Sequence, residues 1–156
     1  MTAAMADPAA GGADGRVPRF DDVSVGTMLP EQTFQLRRVD LVRYAGASGD
    51  FNPIHWNPRF ATEVGLPDVI AHGMLTMAEA ARVVTDWVVD PGAVLEYGVR
   101  FTRPVVVPDD DLGASLVVSG EITELTADAR TAVVSLTATA NGQTVLARAR
   151  AVVRLR

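Results

Sequence analysis

One long helical segment followed by a series of alternating runs limits the architectures open to this chain. Over residues 73–88 the apolar side chains recur at helical spacing, at Met74, Met77, Ala78, Ala81, Val84 and Val88. Apolar and polar residues then alternate in four runs, over residues 95–101, 116–122, 132–138 and 145–155. Asn141-Gly142 predicts a tight hairpin between the last two. Because the helix must bury its apolar face against those strands, we expect an α+β fold.

The first part of the chain is predicted to contribute one strand and two short helices. The strand is expected over residues 25–36. Asp40 is a suitable N-cap for a helix that runs to Ser48. A second short helix is predicted to begin at Asn57-Pro58, where a capping side chain precedes a proline at the first helical position, and to end near Gly65.

The composition removes several classes of chemistry. The chain has no cysteine, and all 14 of its basic residues are arginine. A thiol nucleophile, a cysteine metal site and a Schiff-base lysine are therefore excluded. The net charge of -5 argues against nucleic-acid binding, and no apolar run reaches the length of a membrane span.

The length of 156 residues favours one domain. We expect a disordered tail over residues 1–18, which are rich in Ala, Gly, Asp and Pro, and a single domain over residues 19–156. The tail lacks the apolar core of a signal peptide, so we expect a cytoplasmic protein.

The first of two short segments that each contain a histidine holds Asp50, Asn52 and His55. Pro53 prevents a regular helix here, so the carboxylate and the imidazole can point the same way. Such a pair is suited to acid–base catalysis at neutral pH. We expect Asn52 either to orient a water molecule or to fix the loop.

The second segment is His72-Gly73, at the predicted start of the long helix. Gly73 has no side chain, and the free N–H groups and dipole of a helix N-terminus favour an anion. We expect Gly73 to donate to a developing oxyanion and His72 to be structural.

Simpler roles for these residues stay open alternatives. Asp50 can be a turn residue, His55 a buried structural histidine and Gly73 a flexible helix start. Asp50, His55 and His72 together offer the ligand types for a metal ion, but the pattern favours no metal site.

Two of these segments resemble a known family. Residues 44–55, YAGASGDFNPIH, resemble the hydratase motif of MaoC-like dehydratases and (R)-specific enoyl-CoA hydratases, and residues 71–74, AHGM, resemble their second segment. With residues 70–77, 90–94 and 99–102, the likeness is greatest to the catalytic B subunit of the actinobacterial (3R)-hydroxyacyl-ACP dehydratases. The resemblance extends over residues 20–156.

The resemblance implies a hotdog fold, in which a curved antiparallel sheet wraps around a long central helix. It implies reversible dehydration of (3R)-hydroxyacyl thioesters to trans-2-enoyl thioesters in fatty-acid elongation, with Asp50 and His55 as the acid–base pair and without a cofactor. The substrate would be an acyl-ACP or an acyl-CoA. We expect the acyl pocket to be closed by Leu66, Val69, Ile70 and Met77.

A single hotdog chain leaves a sheet edge uncovered, so we expect it to pair. The resemblance implies a heterodimer with a non-catalytic hotdog subunit, and a homodimeric enoyl-CoA hydratase is the alternative. A thioesterase and a non-catalytic acyl-binding subunit are the competing functions, because this fold does not determine function.

Overall fold

A five-stranded antiparallel sheet packs around one long helix in the computed structural model, which describes residues 16–156. The strands are β1 Met28–Leu36, β2 Val94–Phe101, β3 Ala114–Thr126, β4 Thr131–Ala140 and β5 Gln143–Arg154. The helices are α1 Arg38–Ser48, α2 Pro58–Glu63 and α3 Gly73–Val88, with short 3-10 helices at Phe20–Asp22, Pro53–His55 and Pro91–Ala93. The sheet order is β1-β3-β4-β5-β2, and all five strands contact α3. This confirms the expected α+β hotdog architecture.

The beginning of the described chain is tied to the end of β5. The carbonyl of Pro18, which is buried, accepts a hydrogen bond from the Arg156 N–H at 3.0 Å, and the Phe20 N–H donates to the Arg156 carbonyl at 2.9 Å. Residues 1–15, most of the tail expected over residues 1–18, lie outside the described residues. None of the helices within residues 16–156 combines the length and apolarity needed to cross a bilayer.

The buried face of α3 differs from the stripe predicted for it. The side chains that it buries are Thr76, Ala80, Val83, Val84, Trp87 and Val88. Only Val84 and Val88 belong to both sets, whereas Met74 is 56% exposed. The prediction was wrong because apolar residues occupy more than one side of this helix, so spacing alone did not identify the side that meets the sheet.

The alternating patterns of β3 and β4 are confirmed, because their predicted apolar positions are all buried. Strand β2 departs from its pattern: Leu95 is 43% exposed and Phe101 is 48% exposed. The reason is position, since β2 lies at the edge of the sheet.

Strand β5 does not keep one face inward along its whole length. Ala138 pairs with Leu146 and Leu136 pairs with Ala149, so two residues of β5 face a single residue of β4 between these pairs. Arg148 has a φ of 49° in this bulge. The bulge moves the inner face from Leu146 to Ala149, and a second register shift leaves Val145 unpaired with β4, so that Val145 and Leu146 are both buried and the strict alternation predicted from Val145 onwards is wrong at the start of β5.

The predicted turn residues lie where expected, with one exception. Asn57 caps α2 by accepting from the Phe60 N–H at 3.2 Å, and Asn141-Gly142 forms the β4–β5 turn with φ values of 51° and 71°. Asp40 is not the N-cap of α1: it lies one turn inside, where its carboxylate accepts from the Arg37 N–H at 3.0 Å. It therefore provides the reciprocal half of a capping interaction.

Candidate active site

The two histidine segments meet at the N-terminus of α3. The chain before α3 pairs with the segment after β2: the Ala71 N–H donates to the Val105 carbonyl at 2.8 Å, and the Val107 N–H donates to the Val69 carbonyl at 2.9 Å. An antiparallel bridge between Ile70 and Val106 lies between these bonds. This pairing fixes the backbone of Ile70, on which His55 depends.

His55 is held in a defined tautomer and orientation. Its Nδ1 is 2.8 Å from the Ile70 carbonyl, and the Ile70 N–H donates to the Ile54 carbonyl at 3.1 Å. Because a carbonyl can only accept, Nδ1 carries the proton and Nε2 presents a lone pair. The residue is 6% exposed. Burial lowers the pKa of His55 from its ordinary value of 6.5, and nearby His72 lowers it further, while the Ile70 bond and Asp50 act in the opposite direction.

Asp50 faces the free nitrogen of His55. One carboxylate oxygen, Oδ1, accepts from the Asn52 N–H at 3.2 Å, and the Asp50 N–H donates to Ser48 Oγ at 3.2 Å. The other oxygen, Oδ2, lies 3.9 Å from His55 Nε2, and the Asp50 side chain is 52% exposed. The pair is thus close without a direct hydrogen bond and is open to solvent on the carboxylate side.

Asn52 shapes the loop that carries both groups. Its Oδ1 accepts from the Ile54 N–H at 3.3 Å, and its backbone carbonyl accepts from the His55 N–H at 3.1 Å. Asn52 therefore caps the 3-10 helix Pro53–His55, which turns the imidazole back towards Asp50.

His72 lies directly beneath this pair. Its ring stacks on the ring of His55 with centroids 3.8 Å apart, and its Nε2 is 3.1 Å from the Asp50 backbone carbonyl. Tyr44, which the sequence did not single out, also packs against the His72 ring, with centroids 4.8 Å apart. Ligand atoms of Asp50, His55 and His72 lie within 4.8 Å of one another. Two stacked imidazoles do not aim their in-plane lone pairs at one point, so this arrangement suits a metal poorly.

Gly73 and His55 line the same pocket, of about 380 Å³. Gly73 is the first residue of α3, where N–H groups have no acceptor within the helix. A Cβ at Gly73 would lie 3.2 Å from the Phe101 ring, which forms the facing wall. The imidazole and the helix N-terminus thus line one mainly apolar pocket, and the Asp50 carboxylate lies beside the imidazole without lining the pocket itself.

The pocket walls differ from those expected. Of the four residues predicted to close it, Ile70 lines the pocket, whereas Leu66, Val69 and Met77 do not. Val69 is 0% exposed and belongs to the core. A large part of the wall comes from Phe101 and the segment that follows it, and from the start of β5. Local spacing could not have found these residues, because they are distant in sequence from the two histidine segments and reach the site through long-range strand pairing.

Comparisons with known proteins agree with this fold. Residues 22–141 match the family described as MaoC like domain. The chain is 40% identical over 79 residues to the 3-hydroxyacyl-thioester dehydratase X of Mycobacterium tuberculosis, a match that covers 51% of this chain and 27% of that protein. It is 31% identical over 133 residues to the 3-hydroxybutyryl-CoA dehydratase of Methylorubrum extorquens, covering 84% of this chain and 80% of that one.

A solved structure described as a MaoC-like dehydratase superposes with a TM-score of 0.87 and 45% identity. The superposition covers 96% of this chain and 45% of the other. The chain therefore spans about a quarter of the M. tuberculosis relative and less than half of this solved structure.

Proposed function

Because the chain belongs to the MaoC like domain family, we propose that it is a hydro-lyase that reversibly dehydrates (3R)-hydroxyacyl thioesters to trans-2-enoyl thioesters. The relatives named as dehydratases of 3-hydroxyacyl thioesters and of 3-hydroxybutyryl-CoA support this reaction class. The observation that carries the proposal is the 3.9 Å separation between Asp50 Oδ2 and His55 Nε2.

That separation suits a shared water molecule. One water oxygen can lie about 2.8 Å from both atoms at once, within ordinary hydrogen-bond distance. In the hydration direction the water would donate to the Asp50 carboxylate and to His55 Nε2, leaving an oxygen lone pair for C3 of the enoyl group. The lowered pKa of His55 keeps Nε2 unprotonated near neutral pH, as a base requires.

Dehydration follows the same path in reverse. His55 Nε2 takes the proton from C2 as that C–H bond breaks. The C3–O bond then breaks, and the leaving hydroxyl group receives the proton back from His55 and departs as water, held by Asp50. The products are the trans-2-enoyl thioester and one water molecule, and the pair returns to its starting protonation state.

Gly73 would stabilise the charge that develops on the thioester oxygen. Its N–H lies at the N-terminus of α3, where the helix dipole also favours negative charge. One such donor contributes about 3 kcal/mol in comparable oxyanion sites. No cofactor is needed in this scheme, because proton transfer and one N–H donor are the only chemistry that it uses.

The same pocket is expected to accept the carrier arm of the substrate. CoA and acyl-carrier protein both present the thioester on a phosphopantetheine arm, and a chain without lysine must contact its phosphate through arginine or backbone groups. Arg103 lines the pocket, is exposed and donates to the Thr144 carbonyl at 3.3 Å. We propose acyl-carrier protein in fatty-acid elongation as the natural carrier and CoA as the alternative.

We further propose that the chain works as a pair of hotdog units. Strand β2 is a sheet edge that exposes Leu95 near its start and Phe101 at its end, where Phe101 lines the pocket. A second unit on this edge would pair the open strand and cover these side chains. The solved relative of which this chain covers 45% is long enough for two such units. The partner is proposed to be a non-catalytic hotdog subunit, with a second copy of this chain as the alternative.

The experiment is steady-state hydration of trans-2-enoyl-CoA and of the matching enoyl-ACP by the purified chain, alone and co-expressed with a hotdog protein encoded beside it. The proposal expects a (3R)-hydroxyacyl product without release of free thiol. Free thiol without hydration would instead identify a thioesterase. Inactivity of every assembly would support a non-catalytic acyl-binding subunit. A chain that is stable and active alone would remove the heterodimer.

A further inference from the structure

His72 connects the two halves of the site. Its backbone immediately precedes Gly73 and begins α3, and its carbonyl accepts from the Thr76 N–H at 3.0 Å and from Thr76 Oγ at 3.3 Å. Its side chain reaches in the other direction, where Nε2 is 3.1 Å from the Asp50 carbonyl. The residue that leads into the helix therefore also holds the loop that carries the carboxylate.

The surroundings of His72 leave its ring little freedom. The residue is 1% exposed, and its ring contacts the rings of both His55 and Tyr44. Its Nδ1 has no hydrogen-bond partner among residues 16–156. A buried nitrogen without a partner is costly. Of the two ring nitrogens, only Nε2 has an acceptor, so the bond to Asp50 determines the tautomer and the rotation of the ring.

We propose that His72 is a positioning residue for the reaction, holding the Asp50 loop at a fixed separation from His55 and from the Gly73 N–H through its hydrogen bond to the Asp50 carbonyl. This inference rests on the proposed function. His72 touches Asp50 through a backbone carbonyl and His55 through its ring face, so it acts through both groups and not on the substrate.

The stacking of the His72 and His55 rings also links His72 to the protonation of His55. The titratable groups that face it are Tyr44 from α1, Asp50 from the loop and His55 from the 3-10 helix. Two protonated imidazoles 3.8 Å apart would repel each other. Replacing His72 by an uncharged side chain is therefore expected to make His55 easier to protonate.

Two substitutions separate the hydrogen bond from the ring. His72→Phe keeps a stacking ring and removes the donor, whereas His72→Gln keeps an amide donor that can reach the Asp50 carbonyl and removes the ring. Loss of alignment by about 1 Å costs about 100-fold in rate. We therefore expect His72→Phe to lower kcat by about 100-fold with little change in KM, and His72→Gln to retain most of the wild-type kcat.

The measurement compares kcat, KM and the pH–rate profile of wild type and both variants, with thermal melting to normalise to folded protein. The inference expects the kcat loss in His72→Phe, its rescue in His72→Gln, and an acidic limb at higher pH in both. Wild-type kcat in His72→Phe, or equal losses in both variants, would overturn it. A loss that follows the folded fraction would also overturn it, since this is what a purely structural role produces.

The result remains interpretable if the wild type does not hydrate enoyl thioesters, which would reject the proposed function. In that case the tautomer of His72, measured by ¹⁵N-edited NMR of the two histidines, tests the positioning role. Positioning through the bond to Asp50 requires a single Nε2–H tautomer for His72. A tautomer mixture for His72 would overturn it.

Discussion

Replacing Gly73 by alanine tests the oxyanion role with little disturbance of the fold. Gly73 lies in the first turn of α3, and its backbone has no left-handed φ, so an alanine is sterically permitted there. The added Cβ would lie 3.2 Å from Phe101 Cε1 and 3.4 Å from Cδ1 and Cζ. Because Phe101 is 48% exposed, its ring can move by the few tenths of an ångström required.

The expected stability change is small and the expected kinetic change is large. Alanine is favoured over glycine in a helix by about 1 kcal/mol, which offsets the tight contact with Phe101. The methyl group, however, would stand in the pocket where the thioester oxygen must approach the Gly73 N–H. Loss of one such donor costs about 3 kcal/mol, or about 100-fold in kcat. Gly73→Ala should therefore melt within a few degrees of wild type and hydrate trans-2-enoyl-CoA about 100-fold more slowly.

Gly46→Ala is the matched control. Gly46 is exposed within α1, and apart from its chain neighbours and the backbone of its own helix no described atom lies within 4 Å of the Cβ that the substitution adds. This variant should keep wild-type kcat and become slightly more stable. A folded Gly73→Ala protein with kcat within about threefold of wild type would refute the oxyanion role, because a lost donor has a larger effect.

Two further predictions concern pH and packing. Because the pKa of His55 lies below 6.5, kcat/KM should rise with pH through that lowered pKa and be level above 6.5; an acidic limb above 6.5 would contradict a buried neutral base. The same shift makes the folded state bind fewer protons than the unfolded state. The contribution of His55 to the free energy of unfolding should therefore be full above pH 6.5 and be lost as the pH falls towards the folded-state pKa. Urea unfolding at several pH values can measure this loss. In the same assay Val83→Ala, at a position of α3 that is 1% exposed, should lower the free energy of unfolding by about 2 kcal/mol, and Val42→Ala, at a position of α1 that is 59% exposed, by less than about 0.5 kcal/mol. A loss in Val83→Ala as small as that in Val42→Ala would contradict the burial of Val83.

The sequence predicted those parts of the structure that local chemistry determines. Asn57-Pro58 and Asn141-Gly142 lie where their conformational preferences favour them, and the central helix has the predicted bounds. The side of that helix that meets the sheet was not predicted, because Met74 and Trp87 are both apolar and only the sheet distinguishes them. Likewise, the bulge at Arg148 cannot be read from alternation, since it depends on the register with β4.

Some features of the candidate site could likewise be predicted from a short motif, whereas others depend on long-range packing. Asp50 and His55 are five residues apart, and the loop between them brings their side chains to 3.9 Å, so a short motif contains the information. Phe101 lies opposite Gly73 only because the chain after β2 pairs with the chain before α3. The contact of His72 with the Asp50 carbonyl spans 22 positions and depends on the same packing. These relations belong to the topology, which no local pattern encodes.

The most direct test is the hydration rate of trans-2-enoyl-CoA by Asp50→Asn, His55→Gln and the double variant, each as folded protein in the same assembly in which the wild type is assayed. Asparagine keeps the oxygen that accepts from the Asn52 N–H and removes only the charge facing His55. If the two residues act as one acid–base pair, each single variant should lose about 100-fold or more in kcat, and the double variant should be little worse than the slower single one. Near wild-type turnover in either single variant would contradict the pair.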